Sequence, residues 1–235
     1  MKNSILKLTY HKKGLKMGRF LSLNVNPKYN DFCNTCHKDK KTICSECYAF
    51  YMINRYKRLS ESTKFNALKL SEKYLLSSEV DQVVKEITHK RNLSGLRFNS
   101  LGELINKKHV VNLQAIAYNV KKINPEIPIT LWTKRTKLLF SVVSIPMYKI
   151  IQSSLIKNKY VIPKDDRITH TFNVYDNEIK MLRDIKTLNK KGLKTAICHG
   201  SCKDCMVCYN NNQERKIIFE LTKKAQRKKD KEIIS

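Results

Sequence analysis

The chain has 235 residues and a formal net charge of +27, because 47 Lys and Arg residues outnumber 20 Asp and Glu residues. With 41% hydrophobic residues it has enough apolar material for a core, which excludes a wholly disordered basic tail protein. No run approaches the ~18 to 20 consecutive apolar residues of a membrane helix, and the Lys-rich start lacks the apolar centre of a signal peptide. We therefore expect one folded cytoplasmic domain over residues 1–235, with no membrane partner.

The positive charge indicates a polyanionic partner. A compact body with this charge repels itself unless counterions or a polyanion neutralise it. Nucleic acid is the expected partner, with DNA favoured over RNA. One alternative is a Lys excess that reflects AT-rich coding, which does not account for the low acidic count. The other is an anionic membrane surface, which no basic amphipathic helix with an aromatic face supports.

The first part of the chain predicts one strand followed by helices. The apolar run at residues 20–25 predicts a strand, which leads into a cysteine-rich loop. Helical patterns follow at residues 44–59, 64–76 and 78–90. We expect the segment YAFYMINRYKR, at 48–58, to pack one helical face against the core while its Arg and Lys residues reach solvent.

From about residue 95 the pattern alternates between strands and helices. Strand patterns occur at residues 96–100, 127–133, 147–154, 168–175 and 193–198, and helical patterns at residues 109–123, 134–143 and 176–190. A last helix is predicted at residues 213–229, where the basic segment KKAQRKKDK is expected to be solvated or to contact phosphates.

This alternation predicts an α/β fold with a mostly parallel sheet, either open and doubly wound or curled into a partial or distorted (β/α) barrel. Functional residues of such folds gather at the carboxyl ends of the strands, and Cys198 ends one predicted strand. The expected parts of the domain are a cysteine-rich loop and helix at 1–60, a helical part at 61–95, a βα core at 96–197, a second cysteine-rich block at 198–210 and a basic C-terminal helix and tail at 211–235.

All eight cysteines fall in two short segments. The N-terminal cysteine segment contains Cys33, Cys36, Cys44 and Cys47, and the C-terminal cysteine segment contains Cys198, Cys202, Cys205 and Cys208. A two-residue spacer lets both thiolates of a pair bind one ion, so we predict that all eight are metal ligands. A disulfide framework is the alternative.

The spacing within each segment leaves the metal open between zinc and an iron–sulfur cluster. The N-terminal pattern C-x2-C-x7-C-x2-C fits a closed tetrahedral zinc site. The C-terminal segment contains C-x3-C-x2-C, the spacing with which radical S-adenosylmethionine enzymes hold a four-iron cluster with one open iron. Cys208 as a fourth ligand would close that position to S-adenosylmethionine. His37 and His199 are alternative or neighbouring ligands, and the two segments are also able to form one shared site.

Two carboxylates follow predicted strands and are candidate catalytic residues. They are Glu103, after LRFNSLG, and Asp176, after THTFNVY. At these positions a carboxylate is placed to transfer protons or to attack a sugar carbon. The alternatives are a loop carboxylate for Glu103 and a helix N-cap for Asp176.

Basic and aromatic residues give the candidate nucleic-acid contacts. Trp132, Lys134 and Arg135 follow the strand at 127–133, where they are placed to stack a base and hold phosphates. Packing in the core is the alternative for Trp132. Arg55 and Arg58 are further candidates for phosphate contacts.

Several short motifs together resemble one known family. The motifs are SLNVNP at 22–27, CYA at 47–49, LRFNSLGEL at 96–104, LWTKRT at 131–136 and the C-x2-C-x2-C block at 202–208. Over about residues 20–210 the chain resembles the bacteriophage gene product eighty-eight family, which is similar in layout to the radical S-adenosylmethionine barrels. Phage enzymes that alter DNA bases are analogues of such a protein, which, if phage-encoded, is expected in the cytoplasm of an infected host cell. Where that family usually has Gly-Asp, this chain has Gly102-Glu103, which keeps a carboxylate one carbon longer.

We predict a metalloprotein that modifies nucleic acid, with a cysteine-ligated iron–sulfur cluster of the radical S-adenosylmethionine type or with zinc. A base-exchanging transglycosylase with structural zinc is one alternative. A non-enzymatic nucleic-acid-binding protein with structural metal sites is the other. The chain has no P-loop, G-x-G-x-x-G, G-x-S-x-G or H-E-x-x-H motif, which argues against nucleotide hydrolysis, dinucleotide redox chemistry and the common hydrolases.

Overall fold

The structure, a computed structural model, describes residues 5–11, 18–90, 92–210, 214–222 and 225–226. Strands and helices alternate through most of this chain. The strands of the described residues are β1 Leu8–Tyr10, β2 Phe20–Leu23, β3 Gly95–Phe98, β4 Ile129–Thr133, β5 Lys149–Ser153, β6 Ile168–Tyr175, β7 Thr195–Ile197 and β8 Lys216–Leu221.

The helices connect the strands, and asparagines cap several of them. The side chains of Asn30, Asn106 and Asn177 each accept a hydrogen bond from a backbone N–H of the first turn. Of the helices in the described part of the chain, none combines the length and apolar character that crossing a membrane requires. The α-helices are α1 Asp31–Lys38, α2 Tyr48–Arg55, α3 Lys57–Glu72, α4 Ser77–Thr88, α5 Lys107–Ile123, α6 Thr136–Phe140, α7 Glu178–Lys190 and α8 Cys202–Cys205, and Pro27–Tyr29 and Ile43–Glu46 form 3-10 helices.

The strands form one sheet in the order β1-β2-β3-β4-β5-β6-β8-β7. Only β1 is antiparallel to its neighbour, and every other pair among the described strands is parallel. This confirms the predicted α/β class with a mostly parallel sheet. The sheet is open, because β1 and β7 are its two edges and no described strand joins them. A closed barrel is therefore not formed by the described residues.

The main core lies between one face of the sheet and helices α3, α4 and α5. Side chains alternate between the two faces along a strand. Leu96 and Phe98 of β3 face the helices and are fully buried with Val83 of α4 and Leu113 of α5. Arg97, between these two apolar residues of β3, points to the opposite face. Right-handed crossovers between consecutive parallel strands place their helices on the same face, which leaves that opposite face for a site.

The C-terminal helix predicted at 213–229 is wrong at residues 216–221, whereas residues 225–226 are helical. Residues 216–221 form strand β8, which pairs with β6 and β7. Ile217, Ile218 and Phe219 are β-branched or aromatic and are buried in the sheet, so packing favours a strand there. Most of the basic segment at 223–231 lies outside the described residues.

The helix predicted at 44–59 is divided into three pieces. A 3-10 helix at Ile43–Glu46, helix α2 and the start of α3 occupy this range. The break between α2 and α3 falls at Tyr56, whose backbone is extended with φ −118° and ψ 98°. The two helices are therefore free to take different directions, which local periodicity does not reveal.

Gly102, in the loop after β3, allows that loop to lie against the end of β2. It has φ +85°, and a Cβ at this position would lie 2.2 Å from the carbonyl oxygen of Val25. We expect Gly102→Ala to lower the free energy of unfolding by about 3 kcal/mol or more, because left-handed strain and a clash with backbone add together. Urea unfolding measures the loss.

Gly192→Ala is the matched control for Gly102→Ala. Gly192 has φ +75°, but no described atom lies within 4 Å of an added Cβ. Only the left-handed strain of about 1 to 2 kcal/mol is expected there. Equal losses of stability in the two variants would contradict the close approach of the loop to β2.

Candidate functional site

A pocket of about 380 Å³ opens at the carboxyl ends of the parallel strands. Its lining includes residues at or near the carboxyl ends of five of these strands, namely Asn99, Thr133, Ser153, Val174 and Cys198. The volume lies within the range of ligand pockets, roughly 300 to 1,000 Å³. A larger cavity of about 960 Å³ lies beside β1 and α4, but no cysteine lines it. The smaller pocket therefore occupies the position that the sequence predicts for functional residues.

This pocket brings the two cysteine segments together. Both segments contribute to its lining, through Cys33, Cys44, Cys47, Cys198 and Cys202. All eight cysteines are free, so the alternative disulfide framework is not formed. Within the described residues, no group of three or more Cys, His, Asp or Glu side chains has the arrangement of a metal-binding set. The fold thus brings five of the predicted cysteine ligands to one pocket, but their side chains are not arranged as a metal-binding set.

The thiols of each segment lie near one cation. Burial raises the pKa of Cys44 to about 11, and the ammonium group of Lys134 acts in the opposite direction. Burial also raises the pKa of Cys208 to about 12, and the guanidinium group of Arg97 opposes this rise. The cations favour the thiolate forms that metal ligation needs, although burial has the larger effect.

Lys134 is one of the residues that line the pocket. Burial acts to lower the pKa of its ammonium group, but the negative charges of the Cys44 thiolate and the Glu103 carboxylate, together with those of Cys47 and Cys33, raise it overall. The charge of Lys134 is thus engaged with groups of the pocket. A phosphate contact by this residue stays a prediction.

The carboxylate of Glu103 joins the loops that follow β3 and β4. Glu103 is only 3% exposed. Its Oε1 accepts hydrogen bonds from the Thr133 hydroxyl at 2.5 Å and from the backbone N–H of Leu104 at 2.8 Å. Its Oε2 accepts one from the backbone N–H of Lys134 at 2.7 Å. Glu103 therefore lines the pocket and positions the start of the loop after β4, and its catalytic role stays a prediction.

Asn30 and Arg135 fix the backbone of residues 103–105, which we call the 103–105 loop. The side-chain amide of Asn30 donates to two carbonyl oxygens of this loop at 3.0 Å each. The guanidinium group of Arg135 donates to two carbonyl oxygens of the same loop at 2.7 Å each. Because Asn30 is the N-cap of α1, these bonds place the helix that carries Cys33. Arg135 contributes to the fold here, and its predicted phosphate contact stays a prediction.

Trp132 is packed into the wall of the pocket. The guanidinium group of Arg97 lies 4.0 Å from the centroid of its ring, and the ring of Phe172 packs edge-on with a centroid distance of 4.8 Å. Arg97 therefore covers one face of the indole. This arrangement matches the packing alternative for Trp132 more closely than base stacking.

Three other candidate residues lie outside the pocket. Asp176 is exposed, accepts a hydrogen bond from Asn158 at 2.6 Å and lies 3.5 Å from the ammonium group of Lys157. The N-cap of α7 is Asn177, so the alternative of Asp176 as the cap is wrong. Arg55 and Arg58 are exposed on α2 and α3. The structure does not bring Asp176 to Glu103.

His37 acts on the backbone of the N-terminal cysteine segment. Its Nδ1 lies 2.8 Å from the carbonyl oxygen of Cys44, so the ring N–H donates to that oxygen. The imidazole also stacks on Phe50 with a centroid distance of 4.0 Å. The hydrogen bond helps to fix the backbone of Cys44. His199 is exposed.

Sequence analysis missed Arg97 and Asn99, which line the pocket beside Trp132. Asn99 is 5% exposed and has a left-handed backbone with φ +59°, and neither atom of its amide has a hydrogen-bond partner among the described residues. Asparagine tolerates this backbone conformation better than most residues. Arg97 could have been found from the sequence, because it stands between Leu96 and Phe98 in an apolar strand. Burying a charge costs free energy, so an arginine at such a position is a candidate functional residue.

Comparisons with protein-family models, with curated proteins and with solved structures give no match to this chain. The resemblance to the bacteriophage family therefore stays a prediction. The function is argued below from the pocket and its chemistry, because a fold alone does not define a function.

Glu103→Gln tests the tie between the two loops. An amide has one acceptor oxygen, so a buried backbone N–H of Leu104 or Lys134 would then face an NH2 group. We expect a loss of about 1 to 3 kcal/mol in the free energy of unfolding, measured by urea denaturation. The matched control is Glu61→Gln on the exposed side of α3, where we expect a change within about 0.5 kcal/mol. Equal stability of Glu103→Gln and wild type would contradict the tie.

Proposed function

We propose that this protein is an enzyme that modifies nucleic acid, with a metal centre that cysteine thiolates bind in the pocket at the carboxyl ends of the strands. The observation that carries the proposal is the meeting of both cysteine segments in one pocket. A structural site needs only ligands that enclose the ion. Thiols around an open pocket, with Arg97 and Lys134 beside them, fit a centre that takes part in chemistry.

The donor set fits a soft metal by its chemistry. Thiolates suit zinc and iron–sulfur clusters, whereas hard cations prefer oxygen ligands. In the proposal Cys198, Cys202 and Cys205 hold an iron–sulfur cluster, and the N-terminal cysteine segment holds a second metal. When bound, such a centre supplies one-electron or Lewis-acid chemistry. Side chains must rearrange on binding, since no ligand set is preformed among the described residues.

The rest of the pocket supports a substrate that is anionic and planar. Arg97 and Lys134 bring two cations to the pocket lining, and Trp132, which packs against Arg97 and Phe172, makes part of its wall aromatic. The net charge of +27 favours a polyanion. The consecutive order of β2 to β6 is consistent with a partial (β/α) barrel, whose face opposite α3, α4 and α5 receives the substrate.

A base-exchanging transglycosylase is the second candidate. Glu103 favours it, because a buried carboxylate that three donors hold in the pocket is oriented for attack on a sugar carbon. The metal would then be structural zinc. Metal analysis distinguishes the two candidates.

Metal analysis of protein purified without oxygen tests the proposed centre. We expect iron and acid-labile sulfide in wild type, with broad visible absorption. The triple variant Cys198→Ser, Cys202→Ser and Cys205→Ser is expected to lose the iron and sulfide, and Cys36→Ser is expected to keep them. Zinc without sulfide would favour the transglycosylase, and wild-type protein without iron or zinc would overturn the metal centre.

The salt dependence of binding tests the nucleic-acid partner. If about four phosphates are contacted, the Kd for a single strand is expected to rise about 50-fold between roughly 50 and 200 mM salt. Fluorescence anisotropy with a labelled oligonucleotide measures this. A flat response to salt, or the absence of binding, would contradict nucleic acid as the partner.

A further inference from the structure

We infer that Tyr48, Tyr51, Arg55 and Tyr56 form a surface on which unpaired bases of single-stranded nucleic acid stack beside the pocket. These four residues are called the tyrosine surface below. The inference rests on the proposed function for its class of ligand. Beyond the proposed function, it states that the nucleic acid is single-stranded and names the residues that contact its bases.

The three tyrosines are exposed although large aromatic side chains normally pack inside. Tyr48, Tyr51 and Tyr56 are 55%, 54% and 46% exposed. Helix α2 buries its other face against the core through Phe50 and Ile53. This agrees with the expectation that the segment 48–58 packs one helical face on the core, and it leaves the three tyrosines on the outer face. A cluster of exposed aromatic side chains is typical of a binding surface.

Arg55 organises the rings of this surface. Its guanidinium group lies 5.8 Å from the ring centroid of Tyr51 and 5.6 Å from that of Tyr56. It also donates a hydrogen bond to the hydroxyl of Tyr51. A cation held between two rings restrains them before a ligand binds, which lowers the entropy that binding costs.

The tyrosine surface continues into the pocket. Tyr48 belongs to it and also lines the pocket that contains the cysteines. Tyr48 and Tyr51 are three residues apart on α2, so their side chains lie on the same side of that helix. A strand bound on this surface would have a base next to the mouth of the pocket.

The charge around the surface favours a phosphate backbone. Residues 48–60 contain three cations, Arg55, Lys57 and Arg58, and no carboxylate. All three cations are exposed. Aromatic rings with adjacent cations bind single strands, because each unpaired base offers a face for stacking. In a duplex those faces are already stacked on other bases, so the surface favours single strands.

The test compares strands with and without bases. We measure the anisotropy of a short fluorescent single strand and of an abasic strand with the same number of phosphates. The double variant Tyr51→Ala, Tyr56→Ala is expected to raise the Kd for the normal strand about tenfold or more. Its Kd for the abasic strand should stay within about twofold of wild type, because the phosphate contacts remain.

Two matched variants complete the test. Tyr51→Phe, Tyr56→Phe keeps both rings and is expected to bind the normal strand within about twofold of wild type. Tyr118→Ala removes an equally exposed tyrosine of α5, whose ring lies 5.4 Å from the Lys122 ammonium group, and should leave binding unchanged. Thermal unfolding at the wild-type temperature verifies that each variant is folded.

Each outcome decides the inference. Weaker binding of the normal strand alone by the alanine variant supports the tyrosine surface. Wild-type affinity of that variant for the normal strand would overturn the surface and leave the proposed function in place. Equal weakening for both strands would also overturn stacking, since only phosphates are common to them. Failure of wild type to bind any strand would overturn both the surface and the proposed nucleic-acid function.

Discussion

The carboxylate of Glu103 ties the end of β3 to the end of β4, and the pocket depends on that tie. Its oxygens accept from the backbone N–H of Lys134 and from the hydroxyl of Thr133, so the loop after β4 begins in a fixed direction. The carbonyl groups of the 103–105 loop in turn hold Asn30, the N-cap of α1. One buried carboxylate and its loop thereby position both Lys134 and the helix that carries Cys33.

Buried asparagines extend this arrangement beneath the pocket. The amide oxygen of Asn24 accepts from the backbone N–H of Leu101 at 3.0 Å, and the amide of Asn66 donates to the carbonyl oxygens of Asn24 and Lys7 at 2.9 Å each. Irregular loops leave backbone groups that no helix or strand satisfies. Side-chain amides bind these groups and let the loops be buried without losing hydrogen bonds. These bonds join the segment after β2 to the segment after β3, and they join α3 to the segment after β2 and to the residue before β1.

Adjacent strands supply the two cations of the pocket. Arg97 comes from β3 and Lys134 follows β4, so the pairing of these two strands brings both cations to one side of the pocket. Burial favours neutral thiols, whereas each cation favours thiolates. A bound metal would add a stronger charge and displace the thiol protons. On the outer side, the tyrosine surface offers a separate contact for an extended ligand.

Much of the fold and of the candidate site follows from the amino-acid sequence by itself. The alternation of apolar strands and amphipathic helices determined the α/β class and the mostly parallel sheet, because these periodicities are local. The spacing of the cysteines determined which residues are candidate metal ligands. Glu103 and Cys198 both follow predicted strands, and both line the pocket, because carboxyl ends of parallel strands meet at one edge.

Only the tertiary structure decided which distant segments meet. It joined the two cysteine segments in one pocket, left Asp176 outside it and made residues 216–221 a strand between β6 and β7. It also decided which side chains of α2 are buried, namely Phe50 and Ile53, and which are exposed, among them Tyr51. Strand order and the elements that cover a helix face depend on packing between segments far apart in the chain. Local periodicity and spacing carry no information about that packing.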